Sequence, residues 1–168
     1  MKKIRTGVFE TNSSSVHSLV FYDMGVLGTA EKELESLIAW DGKIHITPDD
    51  FGWEYSGPYY GAIKKLSYIA TTIVQKCREY DENWNETVDT EELENDSEFL
   101  EVDDILCKNI NGCKGWVIDP KNDYYPWGYV DHQSYLGNIK NFLSYEGVSL
   151  YEFIFDDKVE LVIYNDNH

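Results

Sequence analysis

The densest concentration of reactive side chains lies near the start of the chain. Residues 10–18 are Glu10, Thr11, Asn12, Ser13, Ser14, Ser15, Val16, His17 and Ser18. Hydroxyls, an amide, a carboxylate and an imidazole thus crowd into one short stretch. Three chemistries are open to it. Hydroxyls and backbone N–H groups of a tight turn can cradle a phosphate, with Thr11 and Asn12 as donors and Arg5 as a nearby cation. Ser13, Ser14 or Ser15 beside His17 can form an activated nucleophile. His17 can also ligate a metal. Against all three stands a plainer reading, a Ser/Thr/Asn turn that satisfies its own backbone between two strands. That reading outweighs any single chemical one.

A second constellation is Asp131-His132-Gln133-Ser134. An Asp-His pair at the mouth of a helix suits catalysis or metal ligation. It suits a helix cap equally well, with Asp131 or Ser134 accepting from the first N–H groups. If His17 and His132 faced each other, with Asp131 or Asp119 alongside, a hydrolytic or metal site would follow. The sequence alone does not bring them together. No GxSxG elbow, Walker loop or HExxH motif accompanies either tract, so neither names its own chemistry. His45, between Ile44 and Ile46, reads as an outward-facing strand residue rather than a ligand. Cys77, Cys107 and Cys113 are an odd set without CxxC spacing. They read as buried free thiols of a reducing cytosol rather than a zinc site. No particular cofactor is indicated.

A length of 168 residues suits a single domain over 1–168, long enough to bury a core without staples. An apolar content of 42% and an aromatic content of 15% exclude a disordered chain. No apolar run approaches a membrane span, and the basic start lacks a signal-peptide core. A cytoplasmic protein is the expectation.

The charge is uneven. The chain has 14 basic and 31 acidic residues, a net charge of −17. Between positions 79 and 104 stand 13 acids and no Lys or Arg; the remainder, 14 basic against 18 acidic residues, is near neutral. Such a run is usually a solvated face. Here Trp84, Val88, Leu93, Phe99, Leu100 and Val102 interrupt it, which predicts a partly ordered segment with an acidic outer face. Phosphates would repel it, so direct binding to nucleic acid is disfavoured, and a basic protein surface is the natural partner. Glu86, Glu91, Glu92, Glu94 and Asp96 are the candidate partner-binding residues.

The clearest periodicity spans 59–80, where Tyr59, Ala62, Ile63, Leu66, Ile69, Ala70, Ile73, Val74 and Cys77 keep the 3.6-residue repeat. It predicts a long central helix with Pro58 at its first position. Further helices are predicted over 30–40, 97–109 (capped by Ser97), 134–145 and 150–155. Strands are predicted over 4–10, 16–22, 43–47, 114–119 and 158–164. Aromatic loops at 53–60 and 124–129 read as recognition surfaces or as lids over the sheet. The order is irregular, so the fold class is α+β, a small mixed or antiparallel sheet packed against the long helix and shorter ones.

The opening tract RTGVFETNSSSVHS resembles the start of a group of small uncharacterised proteins of Firmicutes and their phages. Some of these also carry a DHQS-like tract, as residues 131–134 do here. The opening tract covers under a tenth of the chain. It implies a cytoplasmic protein of a bacterium or its mobile element, implies no activity, and draws attention to residues 11–15, His17, Asp131 and His132 as one site.

Two functions follow as expectations. The first is an acidic, phage-type interaction protein that inhibits a bacterial nucleic-acid-binding defence protein by placing carboxylates where phosphates would lie. The second is a small hydrolase or nucleotide- or phosphate-binding protein built on the two polar tracts.

Overall fold

Sixteen residues of the periodic stretch form α2 (Gly61–Lys76), and its apolar stripe explains the helix. Ala62, Leu66, Ile69, Ala70, Ile73 and Val74 are all buried, which is the pattern of an amphipathic helix laid on a core. The helix is shorter than the periodicity predicts, for local reasons. Tyr60 is extended and supplies no side-chain cap. Gly61 sits at φ 76°, a left-handed backbone that favours glycine. The cap comes from elsewhere: the Glu33 carboxylate accepts from the Ala62 N–H at 2.9 Å. Pro58 is a strand residue, paired with Val162, not the first residue of the helix. At the far end the Cys77 N–H donates to the Ile73 and Val74 carbonyls and the chain turns into a strand.

The computed structural model describes residues 15–21, 29–52, 57–80, 82, 86–121, 127–130 and 139–165. In chain order the elements begin with β1 (Ser15–Phe21), α1 (Thr29–Glu35), β2 (Ile44–Ile46), β3 (Asp50–Phe51) and β4 (Gly57–Tyr59). After α2 come β5 (Arg78–Tyr80), β6 (Glu86–Val88), α3 (Thr90–Asn95) and α4 (Ser97–Asn109). The chain continues through β7 (Trp116–Ile118), β8 (Tyr129–Val130), α5 (Ile139–Tyr145), α6 (Leu150–Phe155) and β9 (Val159–Asn165). The strand predicted over 4–10 lies outside the described residues.

The class is α+β, but the described strands form four small sheets rather than one. β9 lies between β1 and β4, antiparallel to both. β2 pairs with β7 and β3 with β8, each pair parallel, and β5–β6 is an antiparallel hairpin. Proline accounts for the brevity of the β2–β7 pair. The Asp119 N–H donates to the Ile46 carbonyl; then Pro48 and Pro120 end the ladder, since neither has an N–H to give. The strand ends therefore stop side by side, and α2 fixes one of them. The Ser67 hydroxyl donates to the Thr47 carbonyl at 2.7 Å, and the Thr71 hydroxyl accepts from the Asp49 N–H at 3.1 Å.

The described part of the acidic segment forms the paired strands β5 and β6, an antiparallel hairpin, followed by α3 and α4. Its helices are capped in tandem. Asp89 accepts from the N–H groups of Glu91 and Glu92. Asp96 ends α3 and opens α4, accepting from Glu98 at 2.8 Å and Phe99 at 3.2 Å. Asp96, not Ser97, is the cap, since a carboxylate is a strong acceptor and its charge suits the positive end of the helix. Phe99, Val102 and Leu106 bury the inner face of α4. Trp116 stacks on Phe99 with ring centres 5.0 Å apart and donates its indole N–H to the Phe99 carbonyl at 3.1 Å. Among the described residues, no helix is long and apolar enough to cross a membrane.

Candidate functional site

The two polar tracts come out unequally. Arg5, Thr11, Asn12, Ser13, Ser14, Asp131 and His132 lie outside the described residues. The Ser15 backbone opens β1 opposite Asn165. His17 faces inward from β1, only 5% exposed, with Nδ1 2.7 Å from the Tyr68 hydroxyl on α2. Burial pushes that hydroxyl's pKa upward. An imidazole placed there joins the sheet to the helix. Asp119, considered as its partner, instead engages His45.

The acidic segment divides into carboxylates the fold uses and carboxylates it leaves outside. Glu98 is fully buried; it binds the Lys76 ammonium and accepts from the Lys140 backbone N–H. Asp96 also pairs with Lys76, at 2.6 Å. Glu86 pairs with Arg78, Glu101 with Lys140, and Asp104 with Lys108. Glu86 and Asp96 are thus drawn inward by cations on neighbouring elements and do not belong to a free outer face. Glu91, Glu92 and Glu94 on α3 are exposed, and so are Glu79 and Glu82 at the hairpin. Among the described residues no cation lies within ion-pair distance of these five. Tyr80 and Leu100 are exposed apolar surface on the same segment.

A cavity of about 380 Å³ opens at the base of the hairpin, lined by Asp50, Arg78, Glu86, Lys121, Trp127, Gly128 and Tyr129. The Arg78 guanidinium donates through Nη2 to the Gly128 carbonyl at 2.6 Å. Gly128 is required there: its φ is 64°, and a Cβ would meet the Asp49 carbonyl oxygen at 2.5 Å. A second cavity of about 300 Å³ is lined by residues including His45, Thr47, Asp49, Lys64, Ser67 and Lys121. Lys121 borders both cavities.

The charges around the second cavity are consumed locally. Asp49 receives Lys64 at 2.6 Å and Lys121 at 2.9 Å, and Lys121 also reaches Asp50 at 2.9 Å. Burial works to raise the Asp49 pKa, but hydrogen bonds from Lys64, Lys121 and the Asp50 N–H prevail and hold it at about 2. His45 does face outward, as expected of its strand position, but it is held between two carboxylates. Nδ1 lies 2.7 Å from Asp119 and Nε2 3.1 Å from Asp41. The bond to Asp119, then that to Asp41, raises its pKa. With both ring nitrogens engaged, the imidazole clamps two loops together and has no free nitrogen for proton transfer to a substrate. Sequence reading missed this trio. Only the i, i+4 spacing of Asp41 and His45 hinted at it, while Asp119 comes from a distant strand.

Among the described residues no group of three or more His, Cys, Asp or Glu side chains is placed to hold a metal ion. The three cysteines are free. Cys77 is buried, and desolvation pushes its thiol up to about 11. Cys107 departs from the expected burial: it is exposed, on the face of α4 away from the Phe99, Val102 and Leu106 stripe. No family model, no curated protein and no solved structure matches this chain.

Proposed function

We propose that the protein is an interaction protein that docks an acidic edge onto the basic surface of a bacterial nucleic-acid-binding protein and blocks it. The observation that carries this reading is the set of five exposed carboxylates, Glu79, Glu82, Glu91, Glu92 and Glu94, without an ion-pair partner among the described residues. They sit on capped helices and a paired hairpin rather than on a loose tail. A surface ordered beforehand loses less freedom on binding. The likeness of the opening tract to phage proteins favours a host defence protein as the target. A protein that takes the place of phosphates acts inside the cell, which agrees with the cytoplasmic expectation.

The alternative, a hydrolase or a nucleotide- or phosphate-binding protein on residues 11–18 with Asp131 and His132, has less behind it. The imidazole it needs at His17 is buried against Tyr68.

The test is association with a panel of bacterial DNA- and RNA-binding proteins at low and high salt, with duplex DNA as competitor. Binding is expected to be displaced by DNA and to weaken as salt shortens the range of attraction. Changing Glu79, Glu82, Glu91, Glu92 and Glu94 to Gln should slow association at least about tenfold, since steering acts on the on-rate. Unchanged kinetics in that variant would overturn the reading.

A further inference from the structure

Two of the free thiols are brought together by the way the chain leaves α4. The helix ends at Asn109, and the Cys113 N–H donates to the Ile110 carbonyl at 3.2 Å, closing a turn in which Gly112 takes φ 81°. The left-handed glycine reverses the chain, which then runs back along the face of α4 that carries Asp103 and Cys107. Asp103 Oδ1 accepts from the Trp116 N–H at 3.0 Å. Gly115 passes so close that a Cβ there would meet the same oxygen at 2.5 Å. One helical turn beyond Asp103 stands Cys107, and just before Gly115 on the returning chain stands Cys113. Their two thiols interact directly. The Cys107 thiol also lies 4.0 Å from Asp103 Oδ2, and the Cys113 thiol donates to the Gly115 carbonyl at 3.2 Å. Cys107 is exposed and Cys113 half-buried, whereas Cys77 is buried at the end of α2.

We propose that Cys107 and Cys113 are a redox-modified pair that closes into a reversible disulfide between the end of α4 and the segment entering β7. The pair is independent of the docking function. The oxidant is a small-molecule disulfide. The Cys107 thiolate, which solvent reaches, attacks one sulfur of that disulfide; the oxidant's S–S bond breaks and one thiolate leaves. The Cys113 thiolate then attacks the Cys107 sulfur of the mixed disulfide and expels the second thiolate. The two protons lost by the cysteines pass to the two departing thiolates. Two cysteine thiols are thereby oxidised and one external disulfide is reduced. The second step is intramolecular, so the neighbouring thiol outcompetes any thiol in solution. The surroundings temper the first step. Burial, then the Asp103 carboxylate and the Cys113 thiol, raise the Cys107 pKa, so less of it is thiolate at neutral pH. The Asp103 carboxylate also favours a cationic oxidant over an anionic one. The loop closed between positions 107 and 113 is short, and short loops restrain the unfolded chain least. The bond therefore adds little stability and opens again when external thiol is in excess.

The experiment exposes the reduced full chain to excess cystamine, a cationic disulfide, traps the remaining thiols with N-ethylmaleimide at intervals, and locates each bond by peptide mass spectrometry. A Cys107–Cys113 bond within one chain is expected, without a lasting mixed disulfide, and dithiothreitol should reverse it fully. Cys113→Ser removes the resolving thiol and should accumulate the mixed disulfide at Cys107 to at least about ten times its level in the unaltered chain. Circular dichroism confirms that the variant is folded. If it unfolds, the bonds mapped in the unaltered chain decide alone. There, a mixed disulfide that persists on Cys107, a bond between two chains, a bond to Cys77, or no reaction at Cys107 each overturns the inference. In a folded Cys113→Ser variant, a mixed disulfide no more abundant than in the unaltered chain overturns it as well.

Discussion

Around the second cavity, Asp41, Asp49, Asp50 and Asp119 each lie within 3.1 Å of a lysine or histidine nitrogen. On the edge formed by the hairpin and α3, Glu79, Glu82, Glu91, Glu92 and Glu94 have no such partner among the described residues. The same chemical group closes the structure in one region and is offered outward in the other. The difference lies in where the cations fall. Lys64, Lys121 and His45 come from α2, the segment after β7, and β2, and converge on one set of strand ends. The acidic run contains no cation of its own; Lys76, Arg78 and Lys140 meet the carboxylates that touch neighbouring elements, and Lys108 meets Asp104 on α4. A carboxylate's density in the sequence therefore says less about its role than the identity of what stands opposite.

The comparison breaks most visibly where the edge is anchored. Replacing the buried Glu98 by Ala leaves Lys76, itself largely buried, short of one counter-charge. The expected loss is about 3–5 kcal/mol in urea unfolding. A loss below about 1 kcal/mol would mean that the edge is not seated on α2 through this pair.

The next largest effect is expected at His17. His17→Ala removes the partner at 2.7 Å from the buried Tyr68 hydroxyl and should cost about 1–3 kcal/mol. A variant of undiminished stability would return His17 to the list of functional candidates.

The paired region should reveal itself through pH. A folded pKa of about 2 for Asp49, below the usual carboxylate value, means that its charge stabilises the fold above about pH 4 and ceases to do so as pH falls through 2. Asp49→Asn is therefore expected to cost about 2 kcal/mol at pH 7 and progressively less toward pH 2, followed by thermal unfolding across that range. A cost independent of pH would show that Lys64 and Lys121 do not hold the carboxylate as described.

The smallest effect sharpens the contrast. Changing Glu91, Glu92 and Glu94 to Gln should alter stability by no more than about 0.5 kcal/mol. A marked loss would show that they are structural, like their counterparts beside the second cavity.

How much of this was legible beforehand follows the range of the interactions. The stripe from Ala62 to Val74 is local and periodic, so α2 could be read, as could α4 and α6. The ends of α2 were misjudged because they depend on Glu33 and on the pairing of Pro58 with Val162, neither of which is local. The several small sheets were hidden for the same reason: Pro48 and Pro120 mark strand ends plainly, but not which strand lies beside which. The acidic segment was evident by count. Which of its members remain outside was not, because Glu86 and Asp96 are claimed by Arg78 and Lys76. The His45 clamp joins residues 74 positions apart, and no periodicity signals that.

Asp96 belongs to two helices at once, accepting the last bond of neither but closing α3 with its N–H and opening α4 with its carboxylate. With no spacer between them, α3 has little room to fray independently of α4. Amide hydrogen exchange in Leu93 and Asp96 should consequently slow to the rate set by the opening of α4 against Lys76, so that an outward-facing stretch of glutamates exchanges as part of the interior unit beneath it.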